Sequence, residues 1–184
     1  MHSRNLLIAA LWVLAAALAG AQKLPENAPP AVLDGVIRAD EYAVTVPLDK
    51  MTLYASRTAD ALFVAVSAQT TGWVSFGVGS TKMDRAWIYI GYAKGDQVVF
   101  ARQQGAGHSH KDNAAAPAAS YSIKENAGVT TMELVFKAVD LIASGQKALD
   151  CIVAFGRQDS LGGYHAFRGV AKLQLLSLIH ISEP

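Results

Sequence analysis

Two residues in this sequence carry side chains that bind metal centres and sit where a fold could present them: Met83 and His165. Met83 lies in Gly79-Ser80-Thr81-Lys82-Met83-Asp84-Arg85, a polar connection between two strand-like runs. A flexible thioether among charged neighbours gains little from burial there. It either faces a ligand or plugs one end of a sandwich or barrel. His165 lies in Gly162-Gly163-Tyr164-His165-Ala166-Phe167-Arg168-Gly169, a loop entering a final strand. Methionine with histidine is an axial pair for electron-transfer haem, in which the soft thioether favours ferrous iron and raises the potential. Taken singly, each residue is more often structural than a ligand.

A second constellation is Gly107-His108-Ser109-His110-Lys111-Asp112. Two imidazoles two residues apart, with a carboxylate, could bind copper or zinc. Lys111 opposes a cation, and H-x-H alone is a weak signal. A solvated loop is the plainer reading, and lining the mouth of a cofactor pocket is compatible with it. Trp73, Phe76, Trp87, Tyr89 and Tyr92 supply aromatic surface. Core packing accounts for any one of them, and aromatics suit a porphyrin and a sugar alike.

Catalytic patterns are missing. The sequence has no G-x-S-x-G, no H-E-x-x-H and no phosphate-binding glycine loop. Asp34, Asp40, Glu41, Asp84, Asp112, Glu133, Asp150 and Asp159 are scattered, with no two paired as acid and base. The expectation is a protein that is not an enzyme. Cys151 is the single cysteine, so no intrachain disulfide forms. Its strand-like run, Leu149-Asp150-Cys151-Ile152-Val153-Ala154-Phe155, suggests a small buried hydrophobe. C-x-x-C-H is absent, so any haem would be held without covalent attachment.

The elements that must position these residues are short strands. Residues 51–57 and 61–68 alternate with period two across a polar turn. Residues 73–78 and 86–92 flank the Met83 connection and are rich in aromatic and β-branched side chains. Further strands are expected at 41–48, 97–102, 120–124, 130–136, 149–155 and 168–175. Residues 103–119 read as a long loop, and 138–144 as one or two helical turns. About ten short strands at these spacings, with no sustained 3.6 period, predict an all-β sandwich.

The chain has 184 residues, 52% hydrophobic and 17% charged, with a formal net charge of +1. That size suits one domain with a proper core. Near-zero charge gives no electrostatic reason to expect nucleic acid or an anionic membrane surface. Residues 1–21 read as a signal peptide: a weakly positive start, an apolar run over 6–18, and A-x-A cleavage signals ending at Ala19 and Ala21. Cleavage after Ala21 implies a periplasmic or extracellular protein, with no stable membrane insertion afterwards. Residues 22–31 form a Pro/Asn/Glu-rich lead-in, expected to be extended and mobile. Residues 32–175 form the domain. Residues 176–184, LSLIHISEP, look like an in-frame translation of a transposon-type sequencing adapter. His180 is therefore kept out of any site, and a downstream domain could follow the true sequence.

Several segments together carry a family resemblance. They are Leu33-Asp34-Gly35-Val36-Ile37 with Glu41-Tyr42, Gly72-Trp73-Val74-Ser75-Phe76-Gly77-Val78-Gly79, Met83-Asp84-Arg85-Ala86-Trp87-Ile88-Tyr89-Ile90-Gly91-Tyr92, and Tyr164-His165-x-x-Arg168-Gly169. Over about 33–175 the chain resembles a DOMON domain, in its haem-binding b-type cytochrome branch. The resemblance implies a secreted, all-β, immunoglobulin-like β-sandwich of about ten antiparallel strands that binds haem b non-covalently, or, in other branches, sugars. Carried over by position, the iron ligands are Met83 and His165; Trp73 and Phe76, from the aromatic surface, are further expected cofactor-binding residues. It also implies one-electron transfer to a redox partner protein, such as a membrane cytochrome. Arg85 departs from the pattern, since many members have a small residue there. The alternatives are a carbohydrate or small-ligand binding module of the same fold, and a copper-binding periplasmic protein using His108 and His110.

Overall fold

The computed structural model describes residues 22–175. The signal peptide expected at 1–21 and the adapter-like segment 176–184 lie outside the described residues. The strands are β1 (Gln22–Leu24), β2 (Val44–Leu48), β3 (Met51–Arg57), β4 (Ala61–Ala68), β5 (Val74–Val78), β6 (Trp87–Lys94), β7 (Gln97–Ala106), β8 (Ser109–Asp112), β9 (Ala119–Asn126), β10 (Val129–Lys137), β11 (Ala148–Gly156) and β12 (His165–Leu175). One helical turn, α1 (Ala138–Leu141), follows β10. The strands form a seven-stranded sheet in the order β1-β12-β11-β5-β6-β7-β8 and a five-stranded sheet in the order β2-β3-β4-β10-β9. All pairs are antiparallel except β1 with β12.

Period-two alternation builds the core. Val74, Phe76 and Val78 of β5 and Leu149, Cys151, Val153 and Phe155 of β11 face inward from the larger sheet. Leu62, Val64 and Val66 of β4 and Met132, Leu134 and Phe136 of β10 meet them from the smaller one. Each such aliphatic side chain, fully buried, contributes roughly 1.5–3 kcal/mol. At the centre Tyr89 packs edge-on against Phe136 at 4.8 Å, and Phe76 lies 6.5 Å from Tyr89.

The structure corrects two expectations about irregular segments. The lead-in is not loose at its start: Gln22–Leu24 pairs in parallel with Leu173–Leu175, and Leu24 is fully buried. Nor is 103–119 a structureless loop. β7 runs on to Ala106 and turns back through Gly107-His108 into β8. Gly107, at φ +61°, supplies the left-handed conformation that a two-residue hairpin turn requires. Polarity hid this hairpin, because β8 (Ser-His-Lys-Asp) is an exposed edge strand with no apolar period.

The outer face of each sheet is also covered. On the smaller sheet, the chain between β1 and β2 lies over Phe63, Ala65 and Val135, with Ile37 and Tyr42 packed down. Glu133, on β10 and fully buried, fastens this segment. Its carboxylate accepts the Gly35 amide, the Asp34 amide at 3.0 Å and the Tyr42 hydroxyl at 2.8 Å. The Asp34-Gly35 turn and Tyr42 are thereby explained: they are what Glu133 holds. The other covered face, on the larger sheet, is the one that concerns function.

Candidate functional site

On the outer face of the seven-stranded sheet, register fixes which side chains are neighbours. One row contains Gln103, Ile88, Gly77, Ile152 and Val170; the next contains Ala101, Ile90, Ser75, Ala154 and Arg168. A third contains Val99, Tyr92 and, at its far end, Gly156 opposite His165. Trp73, Ala86, Ile88 and Ile90 form a second small core here, with Met83, Tyr92, Ala101, Ile152, Ala154 and Leu161 packed on it. An outer sheet face in water would alternate polar with apolar. β6 is apolar on both faces because loops cover this side.

Two loops supply the cover. The first, 79–86, carries Met83, which is half-buried on the apolar face. It is tied to β7: the Arg85 amide donates to the Gly105 carbonyl at 3.0 Å, and the Gly105 amide donates to the Ala86 carbonyl at 3.0 Å. The Gly107 amide donates to the Asp84 carboxylate at 2.8 Å. A β-carbon on Gly105 would overlap the Met83 carbonyl, so only glycine lets the loop lie this close. Arg85 sits at φ +66°, a conformation glycine adopts more readily.

The second loop, 157–164, places Leu161 on the same apolar cluster and ends at His165. It is tied to Trp73, whose amide donates to the Gln158 carbonyl at 3.3 Å. A bulge shifts the β11–β12 register after Phe155, so that His165 stands opposite Gly156. Cross-strand partners share a face, and the bulge thus turns His165 to the side that bears Trp73 and Ala154. His165 is exposed, its ring stacked 5.1 Å from Tyr164, itself 90% exposed.

Met83, Trp73 and His165 therefore share one face, but Met83 and His165 are not in contact range. Met83 lies over Gly105, and Gly105 and His165 are four strand spacings apart across the sheet and about six residues apart along it, roughly 28 Å at the usual 4.8 Å per strand and 3.3 Å per residue. Phe76 needs a correction: alternation sends it the other way, fully buried in the inter-sheet core, so it does not line this face. Trp87 and Tyr89 likewise pack on the main core.

His110 is a neighbour of Met83, because its cross-strand partner is Gly105. It is half-buried, and burial pushes its imidazole below the usual range, against a smaller opposing pull from Asp112. The Gln103 amide donates to Asp112 at 2.8 Å, which turns its oxygen toward His110 Nδ1. Nδ1 then carries the proton and Nε2 is left with a free lone pair. Sequence reasoning missed Gln103, which is a buried polar residue on an otherwise weak strand. His108 occupies the exposed hairpin tip. Among the described residues no group of three or more His, Cys, Asp or Glu side chains is arranged to hold a metal ion.

Three features fit a flat, largely apolar cofactor with an iron centre: a buried apolar floor, a thioether and imidazoles at its margins, and a buried donor. That donor is Trp73 Nε1, which has no hydrogen-bond partner among the described residues although Trp73 is only 5% exposed.

No protein-family model matches the chain, and no characterised protein matches it in sequence. Solved structures do. The cytochrome domain of cellobiose dehydrogenase from Myriococcum thermophilum is similar at TM-score 0.56 and 11% identity, over 82% of this chain and 90% of that one. The cytochrome b domain of pyranose dehydrogenase from Coprinopsis cinerea is similar at TM-score 0.53 and 10% identity, over 67% and 76%. The fold is DOMON-like. A family 9 carbohydrate-binding module from Caldicellulosiruptor kristjanssonii, in complex with glucose, matches at TM-score 0.48 and 10% identity, over 89% and 100%. Among the described residues no helix is long and apolar enough to cross a membrane.

Proposed function

We propose that this protein is a secreted, non-enzymatic b-type cytochrome domain that passes single electrons to a redox partner protein. The observation that carries this reading is that the loop bearing Met83 and the loop ending at His165 both pack on one apolar sheet face, in a fold shared with two cytochrome b domains. When bound, haem supplies a one-electron couple. Met83 would provide the soft ligand and His165 the imidazole. Ile88, Ile90 and Ala154 would form the apolar floor that keeps water from the iron. Both ligands reach one iron only if the Met83 loop leaves its ties to β7 and crosses the face toward His165, which β12 holds opposite Gly156. The exposed rim at Tyr164 would be available to the partner.

A specific observation supports a second reading of the imidazole. His110 is beside Met83 across Gly105, with Nε2 free. The experiment is reconstitution with haem, followed by the reduced absorption spectrum. Sharp low-spin α and β bands are expected, lost in Met83→Ala and in His165→Ala and kept in His108→Ala. Loss in His110→Ala with retention in His165→Ala would assign the imidazole to His110. Bands that survive Met83→Ala, or that are absent from the folded wild type, would overturn the proposal.

A further inference from the structure

The edges of the two sheets are defended unequally. β2 carries Pro47, β8 carries Lys111 and Asp112, and β9 carries Lys124 and Glu125. The edge of β12 is covered by β1. Proline, charge and cover are the usual means of keeping an edge from pairing with another chain. β7 differs. β8 pairs only with residues 103–106, so residues 97–101 have β6 on one side and, among the described residues, no strand on the other. Their sequence, Gln-Val-Val-Phe-Ala, has no charge and no proline, and it pairs with β6 without a bulge. Val98 and Val99 are 43% and 36% exposed. Phe100 stacks at 4.0 Å on Tyr121 of β9, itself exposed, so apolar surface flanks the open edge.

The end of this edge fixes which backbone groups point outward. The Asn113 amide donates to the Arg102 carbonyl at 3.0 Å, so the backbone groups of Arg102 face away from β6. In an antiparallel strand every second residue faces the same way. Val98 and Phe100 therefore present N–H and C=O outward, with no hydrogen-bond partner among the described residues. We propose that this edge pairs with the same edge of a second copy of the chain, antiparallel about a two-fold axis at Val99. Val98 of each copy then faces Phe100 of the other, and both outward residues are satisfied by about four hydrogen bonds, two for each pair. A register centred on Phe100 would set Val98 against Arg102, whose carbonyl already accepts from Asn113. One centred on Val98 would set Phe100 against Asp96, in the turn before β7. Charge selects the Val99 register and a second copy as the occupant: Asp96 of each copy comes beside Arg102 of the other, one such pair at each end. Arg102 donates one guanidinium nitrogen to the Ala116 carbonyl, which leaves the other for Asp96. The pairing does not depend on the haem reading.

Sedimentation velocity tests this. The purified protein at about 100 μM is expected to contain dimer that dissociates on dilution, as suits a small interface. Val98→Pro removes one outward N–H from each copy and leaves the hydrogen bonds to β6, since an edge strand tolerates proline where its N–H faces solvent. It should weaken the dimer about 30-fold, for the two hydrogen bonds lost. Asp96→Arg and Arg102→Glu should each be monomeric alone, because like charges meet at both ends. An equimolar mixture of the two should regain the dimer, because each then faces its opposite. A wild type that stays monomeric at this concentration would overturn the proposal and leave the edge to some other extended chain. A dimer that persists in folded Val98→Pro, or a mixture of the charge variants that regains nothing, would overturn it too. Should Val98→Pro fail to fold, the mixture decides alone.

Discussion

Replacing Glu133 should separate the hydrogen bonds of its clasp from its charge. In Glu133→Ala the Gly35 amide and the Tyr42 hydroxyl lose a buried acceptor, and the Asp34 amide loses a partly buried one. At about 2 kcal/mol for each buried donor and about 1 for the other, the expected loss is about 5 kcal/mol. That is comparable with the whole stability of many domains, roughly 5–15 kcal/mol. Glu133→Gln keeps the geometry, because the amide oxygen can accept from Asp34 and Gly35 while its NH₂ donates to the Tyr42 oxygen. It should cost less than about 1 kcal/mol near neutral pH. The charge adds a pH signature. Burial raises the Glu133 pKa above its ordinary value of 4.5, although the three donors pull it down. Between the unfolded and folded values the native protein holds a proton that the unfolded chain has released. Stability from this group is thus full below the ordinary glutamate range, falls as pH rises through the window, and levels off above the folded pKa. Urea unfolding followed by tryptophan fluorescence from pH 4 to 8 measures both effects. The Gln variant should lack the wild-type fall. A Gln variant as unstable as Ala, or wild-type and Gln profiles that run parallel across the range, would refute the account.

Two other outcomes are expected. Gly105→Ala should push the Met83 carbonyl off β7, costing about 1–3 kcal/mol of overpacking and weakening the low-spin haem spectrum measured after reconstitution. Cys151 is fully buried and its thiol is pushed up to about 12 by burial, so a thiol reagent should leave the native protein unlabelled and react once it is unfolded in urea, as read by intact mass.

Much of the fold was legible because period-two patterning is a local signal. Leu62, Val64 and Val66 declare an inward face without reference to any other strand. Glu133 and Tyr42 were not legible as a pair, because they meet through a segment that packs across a sheet, and nothing local marks a buried carboxylate. The site was half legible. Met83 in a polar loop and His165 before a strand could be singled out, yet their common face depends on a bulge that appears only when β11 and β12 are in register. Phe76 and Trp73 look alike in sequence, and strand parity sends them to opposite sides of one sheet. Gly105 and Gly156 are informative only with the residues that lie over them, Met83 and Trp73.

The pairing of Gln22–Leu24 with Leu173–Leu175 has a consequence for the order of assembly. The first described strand cannot dock until the last has been made and added to β11. As the chain emerges, its first strand must therefore wait while the rest of the sandwich forms, and contacts of such sequence separation are slow to close. Until then the outer edge of β12 is unpaired, a surface on which another extended chain could seat itself. β1 thus acts as a late-fitting seal on that edge, and fully buried Leu24 anchors it.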